Sequence, residues 1–260
     1  MRLLREVAIA LIFLTRLPIK IAGSFAMEDV TRAGWAFPLA GAVVGLIGGT
    51  VMAGALWLGL PPILAAILGL SASMLVSGCL HEDGWADVCD GFGGGATAER
   101  KLEIMRDSRL GTYGAVGLIL NVGFRAGSLS LITSPILAIC VFVCAHALSR
   151  AAMPLVQYVT PLARQDGLAA GAGRPSVLVA GGAVFCGALS LIPLVFISLA
   201  FVGESVAFVG VVIAVQSVAV WGLRVIAVRQ IGGYTGDVLG AVQQLSEMIL
   251  LAGLVLVATR

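Results

Sequence analysis

The chain predicts an all-α polytopic integral membrane protein. About seven transmembrane helices and a short N-terminal interfacial helix are expected, in a single membrane domain over residues 1–260. Three observations predict this class. Of the 260 residues, 59% are hydrophobic and only 12% are charged, against roughly 45–50% and 25% in soluble domains. Mean hydropathy is +1.05. The apolar residues form long continuous runs, not the ~10-residue alternating segments of a β-barrel.

The elements follow in order. Arg2 and Arg5 precede an apolar stretch, Val7–Leu14, that is interrupted by Arg16 and Lys20. It is too short to cross a bilayer, which needs ~20 residues, and no convincing small-x-small cleavage site follows. An interfacial or re-entrant helix is expected there. Ala33–Leu80 is uncharged and long enough for two spans, with a turn at Pro61-Pro62. The polar segment His81–Tyr113 is expected as a loop. From Gly114 to about Tyr158 two more spans are broken by a turn at Thr133-Ser134-Pro135, with Arg125 inside the first. Arg164–Pro175 is a polar, Gly-rich loop. Spans near Val177–Ala200 and Val206–Ile226 flank Gly203-Glu204. The loop Gly232-Gly233-Tyr234-Thr235-Gly236-Asp237 leads into a last span to about Val257.

Lysine and arginine placement orients these spans. Arg2, Arg5, Arg16, Lys20 and Arg32 put the N-terminus in the cytoplasm. The later basic groups, at Arg100–Arg109, Arg164–Arg174 and Arg224–Arg229, return to that side. The opposite turns, near Gly59–Pro62, Thr133–Pro135 and Gly203–Ser205, are nearly free of charge, and Arg260 falls outside. All polar loops therefore share the cytoplasmic face. The five cysteines are scattered without a CxxC and read as buried thiols. No nucleic-acid partner is expected.

Charge is scarce, yet four of the 14 acids sit in the eleven residues His81–Gly91 (HEDGWADVCDG). Asp83, Asp87 and Asp90 are spaced i, i+4, i+7. On a helix they share one face, where carboxylates repel unless a cation lies between them. Hard oxygen ligands suit Mg²⁺ or Mn²⁺, with Glu82 as a further candidate ligand. The alternative is a solvated acidic loop. His81 reads as a ligand, a general base, a supporting partner or interfacial filler. Gly93 and Gly94, in the run Gly91-Phe92-Gly93-Gly94-Gly95, let backbone N–H groups approach an anion. No Gly-Lys-Ser/Thr follows, so a P-loop is excluded.

In Glu99–Gly114, Leu102, Met105 and Leu110 predict a short amphipathic helix on the membrane, with Arg100, Lys101, Arg106 and Arg109 facing water. It reads either as a polybasic anchor or as a phosphate site built on Arg106 and Arg109 and supported by Asp107. Acids for a metal beside bases for phosphates is the pairing that phosphoryl transfer uses. Arg125, His146, Arg150 and Glu247 lie in or near spans and are functional suspects for that reason. Arg125 and Glu247 also read as a structural pair. Asp237 reads either as a ligand contact or as an N-cap of the last helix.

These blocks resemble the cobalamin synthase (adenosylcobinamide-GDP ribazoletransferase) family over nearly the whole chain. Phe13-Leu14-Thr15-Arg16-Leu17-Pro18 looks like its opening, and HEDGWADVCDGFGG like its H-x-D-G-x-A-D-x-x-D-G block. Ile104–Gly114 (IMRDSRLGTYG) is similar to its second block, Ser149-Arg150 through Asp166-Gly167-Leu168 to its middle, and GGYTGDVLGA with Glu247 to its C-terminal signature. Trp85 stands where a smaller apolar residue is expected, and Arg106 where lysine is common. The resemblance implies Mg²⁺ dependence and a bacterial inner membrane, with the active site facing the cytoplasm. It implies joining of adenosylcobinamide-GDP and α-ribazole, or its 5′-phosphate, to give adenosylcobalamin, or its 5′-phosphate, and GMP. The ribose 3′-hydroxyl attacks the activated phosphate. Asp83, Asp87 and Asp90 hold the metal, Arg106 and Arg109 neutralise oxygens, and His81 or an aspartate takes the proton. Substrate contacts are expected from Gly93, Gly94, Lys101, Asp107, Ser108, Thr112 and Tyr113. Arg150, Arg164, Thr235 and Asp237 are expected to contribute from the other blocks. A second copy or other cobalamin-pathway enzymes are expected partners beside the lipid bilayer.

Two other classes compete. A CDP-alcohol phosphotransferase also places aspartates on membrane helices, but Asp83-Gly84 lacks the following Ala-Arg and the acids are packed too tightly. CMP release would mark it. An ion-coupled transporter would use Arg125, Glu247 and the glycine-broken segments, yet no internal repeat is visible.

Overall fold

The computed structural model describes residues 2–167, 171–192 and 205–258. In chain order its helices are α1 (Arg2–Leu14), α2 (Met27–Arg32), α3 (Phe37–Trp57), α4 (Pro62–Ser77), α5 (Leu80–Gly94) and α6 (Ala98–Ile104). They continue with α7 (Thr112–Leu129), α8 (Pro135–Val159), α9 (Val177–Leu189), α10 (Ser205–Ile231) and α11 (Gly236–Ala258). A 3-10 turn, Ala33–Ala36, joins α2 to α3. Among the described residues the only β pairing is an isolated bridge between Leu162 and Tyr234.

Four helical stretches are long and apolar enough to cross a membrane: Met27–Trp57, Pro135–Val159, Ala207–Ile231 and Gly236–Leu256. The pair α4 and α5, bent by 92°, makes a fifth if it is counted as one broken span. Against the expected seven spans, four or five are found among the described residues. α7 falls short because it spends positions on Asn121 and Arg125, both buried against protein. α9 has only 13 residues. The Gly203-Glu204 turn, the end of the span expected to reach Ala200, Leu168 and Arg260 lie outside the described residues. α10 exposes Val211, Val215, Val218 and Trp221. Water would penalise such a continuous apolar face, and acyl chains would not.

The core is built around α3 and α8. A Cβ on Gly49 would stand 2.8 Å from the Ile139 Cα, and Gly41 and Gly45 meet the carbonyls of His146 and Phe142. The order of these contacts makes the two helices antiparallel. The glycine stripe, repeating every four residues, lets their backbones touch, as small residues do in membrane bundles. The start of α3 and the end of α8 thus lie at one end of the molecule. Phe142, Leu250, Leu251 and Leu254 fill the middle.

The expected turns at Pro61-Pro62 and Ser134-Pro135 are present, and the Ser134 hydroxyl accepts from the Leu137 N–H. The expected loop at 81–113 is not one loop. After α4 the chain breaks at Gly78 and Cys79, which have φ of 66° and 57°. It then resumes as α5, so the acidic block is helical. The Arg16 side chain packs at the break, and its backbone N–H donates to the Val76 carbonyl at 2.7 Å. The FLTRLP segment therefore braces the bend that turns α5 away from the line of α4.

Candidate active site

α5 presents Asp83, exposed, and Asp87, half-buried, one turn apart. Between them in sequence Gly84 lies against the first turn of α11, where a Cβ would come within 2.9 Å of the Asp237 carbonyl oxygen. The absence of a side chain at Gly84 brings Asp237 to Asp83 and Asp87. Burial, then the negative charges of Asp83, Asp237 and Asp90, push the Asp87 carboxyl up to about 7. Such crowding is relieved by a proton or a cation. Among the described residues, no three His, Cys, Asp or Glu side chains converge into a ready metal cage.

Two expected metal ligands are placed otherwise. The Asp90 carboxylate accepts N–H bonds from Gly111 and Gly114, each at 2.8 Å, and so caps the start of α7. Glu82, next to Asp83 in sequence, points to the opposite side because adjacent helix positions diverge by about 100°. There it meets Arg125 at 3.3 Å and accepts from Gln244 at 3.0 Å. Of the four expected ligands, Asp83 and Asp87 share the site with Asp237 as neighbour, while Asp90 and Glu82 are held by other protein groups. Asp90→Ala is expected to lower stability by about 2 kcal/mol, since two backbone donors lose their charged acceptor. Urea or heat denaturation in detergent checks this; an unchanged midpoint would remove the capping role.

Facing the acids is a basic wall. Asp83, Asp87, Arg106, Asp107, Ser108 and Arg109 line a central cleft of about 270 Å³. Arg106, Asp107 and Arg109 also line an outer cleft of about 470 Å³, together with Arg100, Gly94, Thr112 and Tyr113. Arg106 donates to both oxygens of Asp166. Arg164 lies 3.7 Å from Asp166 and 3.9 Å from Asp237. This chain of charges ties the basic wall back to the acids. Arg109 donates to Asp107 through its guanidinium and its backbone N–H, and these bonds hold the Asp107 carboxyl down at about 2.

Other residues expected to contact substrate have these partners within the protein. Lys101 is buried, not water-facing, and its ammonium donates to the Gly95 carbonyl. Gly93 is exposed and lies beside the Tyr113 ring, 2.7 Å from where its Cβ would stand. Arg150 is buried away from the clefts, donating to the His146 carbonyl at 3.1 Å. Thr235, not Asp237, caps α11: its hydroxyl accepts from the Val238 N–H and donates to Asp237 Oδ2 at 3.1 Å. Tyr234 holds this loop to the segment after α8, accepting from the Ala163 N–H and donating to the Pro161 carbonyl at 2.9 Å.

His81 is buried at the start of α5 and lines a third cavity, of about 260 Å³, that also reaches Asp83 and Asp237. Its Nε2 is buried with no hydrogen-bond partner among the described residues. Behind it Glu247 accepts from Arg125 at 2.7 Å and lies 3.0 Å from His146 Nδ1. The reading of Arg125 and Glu247 as a pair holds, within a larger group. Two participants were not singled out from sequence. Asp166 is 60 positions from Arg106, and Gln244 is 162 from Glu82. Asp166 appeared in sequence only as part of the Asp166-Gly167-Leu168 block, and Gln244 only as a polar residue in an apolar run.

A family model described as Cobalamin-5-phosphate synthase matches residues 6–255. The chain belongs to that family. A protein of Bradyrhizobium diazoefficiens named adenosylcobinamide-GDP ribazoletransferase is 45% identical over 246 residues, covering 95% of this chain and 91% of its own. Bearers of the same name in Azorhizobium caulinodans (42%, covering 99% of this chain and 97% of its own) and Mesorhizobium japonicum (43%, covering 96% and 92%) are similar throughout. No solved structure matches the chain.

Proposed function

We propose that this chain is an adenosylcobinamide-GDP ribazoletransferase of the bacterial inner membrane, joining α-ribazole or its 5′-phosphate to adenosylcobinamide-GDP and releasing GMP. The observation that carries this reading is the central cleft, which puts Asp83 and Asp87 opposite Arg106 and Arg109 in a chain whose relatives bear that enzyme's name. Membership of the family removes the motive for the CDP-alcohol and transporter readings. Arg106, Arg164 and Arg224 gather at the end of the molecule that holds the cleft. By the positive-inside tendency that end faces the cytoplasm.

In the reaction the ribose 3′-hydroxyl attacks the phosphorus that carries the cobinamide. The new O–P bond forms as the bond from that phosphorus to the bridging oxygen breaks, and GMP leaves with the electron pair. Arg106 and Arg109 already grip carboxylates, and a phosphate offers the same bidentate partner. They exchange Asp166 and Asp107 for phosphate oxygens. His81, whose buried Nε2 has no hydrogen-bond partner among the described residues, or an aspartate of the cleft receives the hydroxyl proton. Positioning and charge stabilisation supply most of the rate.

Mg²⁺ fits the acids. It prefers one or two carboxylates plus substrate phosphates to an all-protein cage, and Asp83 and Asp87, beside Asp237, offer that donor set. When bound it would neutralise charge developing on the diphosphate. The test is GMP release by purified protein in liposomes, given both substrates, with and without Mg²⁺. Mg²⁺-dependent GMP and a cobalamin product are expected. Folded protein that makes neither would overturn the reading.

A further inference from the structure

We propose that the apolar cavity behind Asp83 is the binding site for the benzimidazole base of the ribazole substrate. The proposal rests on the ribazoletransferase reading and assigns one of its two substrates to a place. The cavity is enclosed by the end of α1, α2, the start of α3, the end of α8 and the start of α11. Phe13, Val30, Phe37, Met153 and Leu239 form its apolar walls. Phe13 and Phe37 are stacked, with centroids 6.1 Å apart and ring planes within 19°, and give an aromatic wall for a flat ring.

The other end of the cavity is polar. His81, Asp83 and Asp237 close it, and Thr31 lies in its wall. Two of these groups are buried with an atom that has no hydrogen-bond partner among the described residues: His81 Nε2, on a residue 1% exposed, and Thr31 Oγ1, on a residue 8% exposed. Buried polar atoms are rarely left so without a ligand or water to meet them. An acyl chain would satisfy neither and would lie against two carboxylates. A benzimidazole riboside matches in kind. Its bicyclic ring is apolar, its free ring nitrogen accepts from the Thr31 hydroxyl, and its ribose hydroxyls meet His81 and Asp83.

Size and connection point the same way. About 260 Å³ is near the lower end of small-molecule pockets, ~300 Å³, which suits a bicyclic base and excludes a corrin macrocycle. Asp83 lines both this cavity and the central cleft. A base held behind Asp83 therefore presents its ribose at the cleft where Arg106 and Arg109 stand. The outer cleft, on the far side of these arginines, is left for the nucleotide diphosphate substrate.

The experiment uses the full chain in liposomes and varies each substrate in turn. Val30→Phe places a ring in the cavity. Its KM for ribazole is expected to rise about tenfold or more, while its KM for adenosylcobinamide-GDP stays within twofold. Should that variant not fold, Val30→Ile adds one methylene and is expected to raise the ribazole KM at least about threefold. Free benzimidazole is expected to inhibit wild type competitively against ribazole but not against the GDP substrate. An unchanged ribazole KM in a folded variant, or benzimidazole competing with the GDP substrate, would overturn the assignment. Absence of GMP from wild type would instead strike at the activity itself.

Discussion

Asp83→Ala protein is expected to release GMP about 10²–10³-fold more slowly than wild type, the loss typical when a transition-state charge stabiliser is removed. Asp83 is exposed and lines both the central cleft and the apolar cavity, so the effect falls on chemistry and not on the core. Stability moves little or rises slightly, because the substitution removes a like charge that faces Asp87 and relieves repulsion. A structural aspartate would give the reverse pattern, with stability lost first. Asp87→Asn is expected to show a milder loss that raised Mg²⁺ partly restores, as for a weakened ligand. Glu99→Ala is the control: Glu99 is exposed on α6 and lines neither the central nor the outer cleft. Equal rates for Asp83→Ala and wild type would end the metal proposal, whatever the family name.

The parts of the site that sequence made legible are those set by short-range spacing. Asp83 and Asp87 lie one helical turn apart, and that spacing survives in α5 because the helix resumes right after the bend. Arg106 and Arg109 were legible as charges in a chain that has few. What stayed hidden depends on direction and distance. Glu82 neighbours Asp83 in sequence, but helical rotation sends it to Arg125. Asp90 continues the spacing, yet its oxygens are taken by backbone of the next helix. Lys101 looked water-facing until the Gly95 carbonyl gave its ammonium a partner inside. The bend at Gly78 and Cys79 sits next to an apolar run with no proline to mark it, so α5 read as loop. The number of spans is harder to read for a related reason. A run such as Thr112–Leu129 is apolar enough to look like a span, but its Asn121 and Arg125 face protein.

Arg125→Met is expected to destabilise the protein by about 3–5 kcal/mol, the usual penalty for breaking a buried ion pair from one side. Arg125 is 0% exposed and lies 2.7 Å from Glu247 and 3.3 Å from Glu82. Glu247 also meets His146 at 3.0 Å and lies 3.7 Å from Arg150. Two guanidiniums, Arg125 and Arg150, thus stand against two carboxylates, Glu82 and Glu247, inside the bundle. Removing Arg125 leaves two buried carboxylates with one guanidinium, Arg150, where neither water nor lipid can compensate them. The double variant Arg125→Met with Glu82→Leu restores the balance, leaving Glu247 with Arg150 and His146. It is therefore expected to be more stable than Arg125→Met alone by at least about 1 kcal/mol, a coupling that independent sites would not show. Denaturation midpoints of the two singles and the double, measured in one detergent, give this coupling. Strict additivity would mean that the charges do not act as a group. Because Glu82 sits one residue from His81 and from Asp83, the same closure fixes the start of α5. The single variant is thus expected to lose activity along with stability, and the double to recover part of both.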